Sequence, residues 1–275
     1  MDQLGCYYQM INFTSNLPLI YNNGIWKEIN QTSPEEIPVD LFVNGQFWLT
    51  FMCSPFQIEY LAIGFLFNEH IIHSKSDVAS SWICKNNLTA DIWLNFSVEK
   101  PKNWLRTSGC HGGQTSFQKT DEDYAIEAES ICPDLILNLF ENLLTFQEEY
   151  RKTRGIHCSA LSDGDGTFLI AEDIGRHNTL DKLAGQFVMS PLNWKRKMIL
   201  TTGRVSSEML QKSAHIGANI LISRTSPTNA SIRTAQELNI TLIGYARRNQ
   251  FTVYAHPERI KTSQEVDNKI KIFCN

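Results

Sequence analysis

The sequence predicts an α/β protein whose second half is built on a largely parallel sheet. Short apolar segments at Met198–Leu200, Asn219–Ile222 and Thr241–Gly244 have the length and composition of buried strands. Amphipathic segments at Ser206–Ile216 and Thr228–Leu238 lie between them and predict helices. Because strands separated by helices need crossover connections, the sheet is expected to carry helices on both faces.

Further elements of this half are predicted on either side of those strands. Pro133-Asp134 opens a helix, and its expected buried residues are Ile136, Leu139, Phe140, Leu143 and Tyr150. A hairpin is expected to join Ile156–Leu161 to Thr167–Ala171 through two Asp-Gly pairs, and Asn178 is expected to cap the helix that follows. The buried face of that helix is predicted to contain Leu180, Leu183, Ala184, Phe187 and Val188. A last strand is predicted at Phe251–Tyr254, and residues 261–275 are assigned no structure.

The first half predicts a smaller α+β part that contains a hairpin. Val39–Val43 and Phe47–Phe51 are rich in β-branched and aromatic residues, and Asn44-Gly45 between them favours a tight turn with positive φ. A helix is expected after Ser54, with that serine and Gln57 forming a capping box. Its buried face is predicted to be Ile58, Leu61, Ala62, Phe65 and Leu66.

Four weaker predictions complete the first half. Apolar residues alternate along Asp91–Val98, including Phe96, and predict a half-buried strand. His70 is interpreted as the end of the first helix. Residues 1–36 are expected to contain one strand near Tyr8–Phe13 and little else. The charged stretch 118–131 is interpreted as a connector, so the chain is divided into residues 1–117 and 118–275.

Composition excludes several classes of protein. The 275 residues carry 25 Lys and Arg against 29 Asp and Glu, a net charge of −4 that gives no basic surface for nucleic acid. Seven cysteines occur without any Cys-x-x-Cys spacing, which argues against a zinc ribbon or a disulfide scaffold. No signal peptide or membrane-spanning segment is predicted, and a reducing cytoplasm is the expected location.

One segment, Arg106–Gly113, places Cys110 among three glycines and beside His111. Glycine lets the backbone take positive φ and approach a ligand closely, and a thiol there is expected to be accessible. Reactive cysteines occupy open, electropositive surroundings because the thiolate is the nucleophile. The residues alone leave two interpretations open, a reactive thiol or a glycine-rich turn with an incidental cysteine.

Three polar turns follow predicted strands and are expected to meet at one edge of the sheet. They are Glu172–Asn178, Thr201–Glu208 and Ser223–Thr228. Free amides at helix N-termini and the guanidiniums of Arg176 and Arg204 suit a phosphate-bearing ligand. His177 is also assigned to this site. None of the turns matches a Walker loop or a Gly-x-Gly-x-x-Gly motif, so ATP hydrolysis and NAD binding are not supported.

The chain resembles the FdhD/NarQ family of formate dehydrogenase accessory sulfurtransferases. The resemblance extends from about residue 40 to 260, and its most specific segment is Asp173-Ile174-Gly175-Arg176-His177-Asn178. Other matching segments are Phe42–Gly45, Met52–Pro55, Leu61–Leu66, Thr202–Arg204, Ser207–Met209, Phe251–Pro257 and Arg259-Ile260. The resemblance implies a cytidine-deaminase-like three-layer fold for the second domain.

The resemblance also implies a function, that of a sulfurtransferase working through a cysteine persulfide. Cys110 matches the residue that takes sulfur from a cysteine desulfurase. The sulfur then passes to the molybdenum cofactor, Mo-bis(molybdopterin guanine dinucleotide), for formate dehydrogenase. The implied cofactor-binding segment is Phe251, Thr252, Val253, Tyr254, Ala255 and His256, and GDP would mimic the nucleotide ends of that cofactor. A homodimer is the family expectation, with no structural metal.

The sequence departs from the family pattern at a few positions, and alternatives remain. Many members carry a second loop cysteine where this chain has Gly113, so Cys158 beside His157 could take its place, although a cysteine at a strand start favours burial. A zinc deaminase is the first rival, but the only His-x-Glu is His256-Pro257-Glu258. A non-catalytic chaperone that holds the cofactor is the second rival, and it needs no thiol.

Overall fold

The structure is a computed structural model that describes residues 17–84, 88–102, 105–106, 114–115 and 130–261. The strands in these ranges are β1 Leu19–Asn22, β2 Ile25–Glu28, β3 Ile37–Val43, β4 Gln46–Cys53, β5 Val78–Ile83, β6 Thr89–Leu94, β7 Leu105–Arg106, β8 Gln114–Thr115, β9 His157–Ser162, β10 Phe168–Asp173, β11 Met198–Thr201, β12 Ile220–Ser223, β13 Thr241–Arg247 and β14 Gln250–Ala255. The helices are α1 Ile58–Asn68, α2 Pro133–Thr145, α3 Glu148–Thr153, α4 Arg176–Met189, α5 Ser207–His215 and α6 Asn229–Glu237. None of these helices has the length and apolar character needed to cross a bilayer.

The N-terminal part is a four-stranded sheet in the order β4-β3-β6-β5. The predicted hairpin is confirmed, since β3 and β4 pair antiparallel and both Asn44 and Gly45 have positive φ in the turn. Strand β6 pairs parallel with β3 but ends at Leu94, so Phe96 lies outside it and is exposed. The expectation of little structure before residue 36 is wrong, because β1 and β2 form a hairpin around Asn23-Gly24.

Helix α1 confirms the predicted buried face but not the predicted cap. Gln57 precedes the helix with φ 56 and makes no side-chain cap, and Ser54 bonds to the second half of the chain instead. Residues 61–68 are all buried, because α1 contacts the N-terminal sheet on one side and α4 on the other. His70 lies beyond the helix with φ 58, and its ring stacks on that of His215 at 4.0 Å.

The second half is a six-stranded sheet in the order β10-β9-β11-β12-β13-β14. The three predicted central strands, β11, β12 and β13, run parallel as expected, whereas β9, β10 and β14 are antiparallel to their neighbours. One face packs against α2, and the opposite face packs against α4, α5 and α6. The predicted three-layer α/β arrangement is therefore confirmed.

Two local predictions in this half are wrong. Tyr150 lies on the separate helix α3, because α2 ends at Thr145. The residue that caps α4 is Gly175, and the side-chain amide of Asn178 donates to the Met52 carbonyl and the Asp173 carboxylate instead of capping its own helix.

The hairpin of β9 and β10 is confirmed, and the Asp163 carboxylate accepts from the amides of Asp165 and Thr167 in its turn.

Helices α1 and α4 cross at unusually close range because a glycine lies at the contact on each of them. A Cβ on Gly64 would lie 1.7 Å from the Asp181 carbonyl oxygen, and one on Gly185 would lie 2.0 Å from that of Tyr60. The apolar core continues through this crossing, from the N-terminal sheet to the α4 face of the second sheet.

We expect Gly64→Ala to destabilise the protein by roughly 3 kcal/mol, the upper part of the usual range for overpacking, because the opposing atoms are backbone. Helix propensity alone would give the opposite sign, a gain of about 1 kcal/mol. Chemical denaturation measures the free energy of unfolding, and Asn142→Ala on the exposed side of α2 is the control. An unchanged or increased stability of Gly64→Ala would contradict the close crossing.

Candidate functional site

The candidate site lies along the carboxyl edge, defined here as the edge of the second sheet where β10, β11 and β12 end. The three polar turns predicted from sequence do converge there. Ser223 Oγ donates to the Gly203 carbonyl at 2.8 Å, and the Arg224 amide donates to the Thr201 carbonyl at 3.0 Å. The turn after β11 therefore lies against the end of β12, as expected from parallel strand ends meeting at one edge.

Gly203 brings the turns after β10 and β11 together with the start of β9. A Cβ on Gly203 would lie 2.9 Å from Arg176 Cβ and 3.5 Å from His157 Nδ1. Burial, and secondarily the charges of Arg176 and Arg204, lower the pKa of His157. The ring is therefore neutral at physiological pH and offers one donor and one acceptor beside two cations.

His157 is a residue of this edge that sequence reasoning did not assign to the site. Its place at this edge follows from strand pairing. Because β9 runs antiparallel to β11, β9 begins where β11 ends. Sequence patterns predict strands more readily than the pairing between them, and the hairpin alone does not say which neighbour β9 pairs with.

The two predicted arginines differ in accessibility. Arg176 is 5% exposed at the first position of α4, whereas Arg204 is exposed in the turn after β11. A ligand at the carboxyl edge can reach the guanidinium of Arg204 directly. Arg176 instead contributes positive charge from beneath the surface, beside His157.

The turn between β10 and α4 is held by a group of buried residues that we call the junction network: Ser54, Asp173, Asn178 and Lys182. Asp173 Oδ2 lies 2.6 Å from Lys182 Nζ, and both side chains are fully buried. The same carboxylate accepts from the Ser54 amide at 3.1 Å and from Asn178 Nδ2 at 2.8 Å, while Ser54 Oγ accepts from the Ile174 amide. The junction network thus ties the carboxyl edge to the end of β4.

Glu172 and His177 also have partners within the protein. The Glu172 carboxylate accepts from the backbone amides of Glu148, Glu149 and Tyr150 at the start of α3. His177 is 6% exposed, and its Nε2 lies 3.0 Å from Ser206 Oγ and 3.4 Å from Glu208 Oε2. Both groups were predicted in a ligand-facing turn, but Glu172 joins β10 to the start of α3 and His177 joins α4 to the start of α5.

A chain of buried polar groups continues from His177 across three helices. Lys212 on α5 lies 3.4 Å from Glu208 and 2.8 Å from Asp181 on α4, and Asp181 accepts from Asn68 of α1. Burial raises the pKa of Asp181 to about 6 despite the nearby ammonium. Burial opposes the charge on Lys212, but Asp181 and Glu208 together raise its pKa. Burial and the cations Lys212 and Arg176 lower the pKa of His177 to about 2, so the ring is neutral.

The predicted cofactor segment is the edge strand β14 and the residue after it. Phe251 and Val253 pack toward α2, Tyr254 packs toward the opposite layer, and Ala255 is buried. Since β14 is antiparallel to β13, only its first residues lie at the carboxyl edge. His256 lies at the other edge, with its Nδ1 3.2 Å from Glu258. The structure therefore spreads this segment across the sheet, and Thr252 is the exposed member.

The cysteines differ in accessibility. Cys110 lies outside the described residues, in the segment between the paired strands β7 and β8. Cys158 is fully buried, as expected, and burial together with Glu172 raises its thiol pKa. Cys53 is also fully buried, and burial with the Asp173 charge raises its pKa to about 12. Among the described residues, no group of three or more His, Cys, Asp or Glu side chains is arranged to hold a metal ion.

Comparison with known proteins gives consistent matches over most of the chain. The model of the FdhD/NarQ family matches residues 34–261. The sulfur carrier protein FdhD of Staphylococcus haemolyticus is 34% identical over 253 residues, which cover 89% of this chain and 95% of that protein. The protein of the same name from Bacillus subtilis is 34% identical over 248 residues, which cover 88% and 95%.

A solved structure has the same fold. It is the crystal structure of a candidate formate dehydrogenase accessory protein from Desulfotalea psychrophila. The TM-score is 0.71 at 23% identity, and the match covers 89% of this chain and 97% of that chain.

The buried neutral His177 predicts that acid destabilises the fold. Unfolded histidine takes up a proton below its ordinary pKa of 6.5, whereas the folded residue does not until about pH 2. From pH 6.5 downward the unfolded state therefore binds more protons, and His177 removes about 1.4 kcal/mol of stability per pH unit. Denaturation at pH 6.5 and pH 5 should show a shallower fall for His177→Gln than for the wild type. His73→Gln, at an exposed histidine, is the control. Equal slopes for His177→Gln and wild type would contradict the buried neutral state.

Proposed function

Because the chain belongs to the FdhD/NarQ family, we propose that it is a sulfur carrier. It takes persulfide sulfur from a cysteine desulfurase and transfers it to the molybdenum cofactor of formate dehydrogenase. The cofactor, Mo-bis(molybdopterin guanine dinucleotide), is cargo in this reaction rather than a resident group. The observation that carries the proposal is the match to relatives named sulfur carrier protein over nearly their whole length.

Sulfur transfer needs an accessible thiolate. The thiolate attacks the terminal sulfur of the donor persulfide, the bond between the two donor sulfurs breaks, and the donor cysteine leaves as a thiolate. Cys53 and Cys158 are unsuited to this step, because both are buried and have raised pKa values. Cys110 is the candidate nucleophile on account of its glycine-rich surroundings.

Because residue 113 is a glycine, no second cysteine lies near Cys110 in the sequence to form a disulfide with it. We therefore propose a mechanism that uses one thiol. The persulfide stays on Cys110 until the cofactor binds. Its S–S bond then breaks, the terminal sulfur goes to the molybdenum, Cys110 leaves as a thiolate, and the reduced metal or an added thiol reductant supplies the two electrons that convert the sulfur to sulfide. Cys158 is a poor substitute for a second thiol, since its side chain is packed in the core below α2.

The nucleotide ends of the cofactor are proposed to bind at the carboxyl edge. The exposed guanidinium of Arg204, the underlying charge of Arg176 and the first residues of β14 supply cationic and apolar contacts there. A phosphate-bearing cargo fits this donor set, which consists of the two guanidiniums and the neutral imidazole of His157. Several amides of the three turns, among them those of Gly175, Gly203 and Thr225, donate to groups of the protein itself. A zinc deaminase finds no support in the described residues.

Incubation with a cysteine desulfurase and cysteine should add one sulfur atom to the protein, removable by a thiol reductant. Intact-mass measurement should find this addition in the wild type and in Cys158→Ser, and not in Cys110→Ala. Cys84→Ser is a second control, since it changes an exposed cysteine. Sulfur loading of Cys110→Ala at the wild-type level would mean that another cysteine carries it.

The same variants separate a sulfur carrier from a chaperone that only holds the cofactor. If Cys110→Ala fully activates formate dehydrogenase while remaining unable to load sulfur, the chaperone function is correct and the carrier function is wrong.

Calorimetry with GDP tests the nucleotide part of the proposal. Arg204→Ala is expected to weaken GDP binding roughly tenfold, because one charge-assisted contact to phosphate is lost. Lys195→Ala is the matched control, an exposed cation that precedes β11 and so lies at the opposite edge. Equal GDP affinities for Arg204→Ala and Lys195→Ala would remove Arg204 from the site.

A further inference from the structure

Three aromatic rings form a stack where α1 and α5 end. The ring centroid of His215, at the end of α5, lies 4.1 Å from that of Phe67 and 4.0 Å from that of His70. The ring planes differ by 21° and 13°, respectively. Two rings that are this close and this nearly parallel to His215 cannot share one of its faces, so the His215 ring lies between the other two. We call these three residues the histidine stack.

The backbone at His70 has a conformation that glycine usually adopts. Helix α1 ends in a left-handed turn, in which the amides of His70 and Ile71 donate to the carbonyls of Phe67 and Leu66, and His70 has φ 58. The corresponding position at the end of α5 is Gly217, with φ 83. A side chain is unfavourable at such a φ, and residues held this way concentrate at functional positions. At His70 the side chain completes the stack.

The histidine stack joins the two halves of the chain. Helix α1 packs on the N-terminal sheet, whereas α5 packs on the second sheet. Because α5 starts at the carboxyl edge and runs away from it, the stack lies toward the opposite edge. The start of α5 contacts His177 through Ser206 and Glu208. Helix α5 therefore connects the histidine stack to the buried groups below the carboxyl edge.

Charged groups of three helices lie on the inner side of the histidine stack. Lys212, one turn before His215 on α5, is paired with Asp181 of α4 and with Glu208 of its own helix. Glu69 at the end of α1 is 7% exposed, and its charge also acts on Lys212. These carboxylates are thus engaged with one ammonium group, whose own positive charge opposes a further cation at His215.

On the outer side, the segment after α1 adds another histidine. His73 is exposed, and the carboxylate of Asp77 accepts from its backbone amide. Burial, and secondarily the charges of His70 and His73, lower the pKa of His215 to about 3. The His215 ring is therefore neutral in the stacked arrangement at physiological pH.

We propose that the histidine stack is an acid-sensitive contact, which holds the end of α1 against the end of α5 at neutral pH and opens as its imidazoles take up protons. Two imidazolium rings 4.0 Å apart repel each other, and burial disfavours even one of them. Protonation of both rings therefore requires the open arrangement. This inference goes beyond sulfur transfer and does not depend on it.

The sign of the pH dependence follows from where His215 takes up its proton. In the stack it does so only near pH 3, whereas an exposed histidine does so near its ordinary pKa of about 6.5. Below that pH the open arrangement binds more protons than the closed one. Its population should therefore rise about tenfold between about pH 7.5 and about pH 5.5.

Hydrogen exchange on the full-length protein tests the contact, with rates corrected for the intrinsic effect of pH. The amides of Ile71 and Gly217, which close the ends of the two helices, should lose protection about tenfold over this range. His215→Phe keeps a ring between Phe67 and His70 but cannot take up a proton, so its protection should stay nearly constant. His70→Gly, which removes one ring and suits the positive φ, should also lose the pH dependence.

Two control variants distinguish the histidine stack from other titrating groups. His73→Gln and His177→Gln should both keep the wild-type fall in protection, and thermal unfolding verifies that every variant is folded. Constant protection of Ile71 and Gly217 in the wild type would overturn the proposal. An equal fall in wild type and His215→Phe would do the same, as would loss of the fall in His177→Gln, which would assign the effect to the contact between α4 and α5.

Discussion

The buried ion pair between Lys182 and Asp173 is the interaction on which the candidate site most depends. Both side chains are fully buried at 2.6 Å separation, and the Lys182 ammonium also lies over the ring of Phe56 at 4.5 Å. Removal of one partner from such a pair typically costs 3–5 kcal/mol, because the other charge is left buried without compensation. The Asp173 carboxylate additionally accepts from the Ser54 amide, so this pair holds the turn after β10 against the end of β4.

The ion pair and its hydrogen bonds change what residues 173–178, the most specific segment of the family resemblance, are expected to do. Most of its polar groups act inside the protein, since Asp173 and Asn178 join the two halves and His177 joins α4 to α5. The accessible cations lie elsewhere, in the turns after β11, β12 and β13. A fixed and largely buried framework below an exposed cationic edge is well suited to hold an anionic cargo without rearrangement.

Much of the architecture could be predicted from sequence, because hydrophobic period and turn chemistry are local. Asn44-Gly45 predicted one hairpin, and the alternation of strands and helices after residue 198 predicted the parallel strands. The cap assignments failed for the opposite reason. Ser54 and Asn178 each bond to a group more than 115 residues away, and no local pattern records such partners.

Helix α1 and the hairpin of β1 and β2 illustrate two further limits. The close crossing at Gly64 and Gly185 depends on two distant glycines meeting, so only one buried face of α1 could be predicted. The early hairpin has strands of four residues each, with mostly exposed side chains, so it lacks the apolar alternation by which strands are identified. His157 was not assigned to the site for a related reason, because its position at the carboxyl edge follows from strand pairing rather than from composition.

The central claim is that sulfur passes through Cys110 to the cofactor of formate dehydrogenase. It is tested most directly by following radiolabelled sulfur from cysteine, through a desulfurase and this protein, into the cofactor isolated from formate dehydrogenase. The account predicts label in the cofactor with wild-type protein and none with Cys110→Ala. Label reaching the cofactor equally well with Cys110→Ala, or in the absence of the protein, would contradict it.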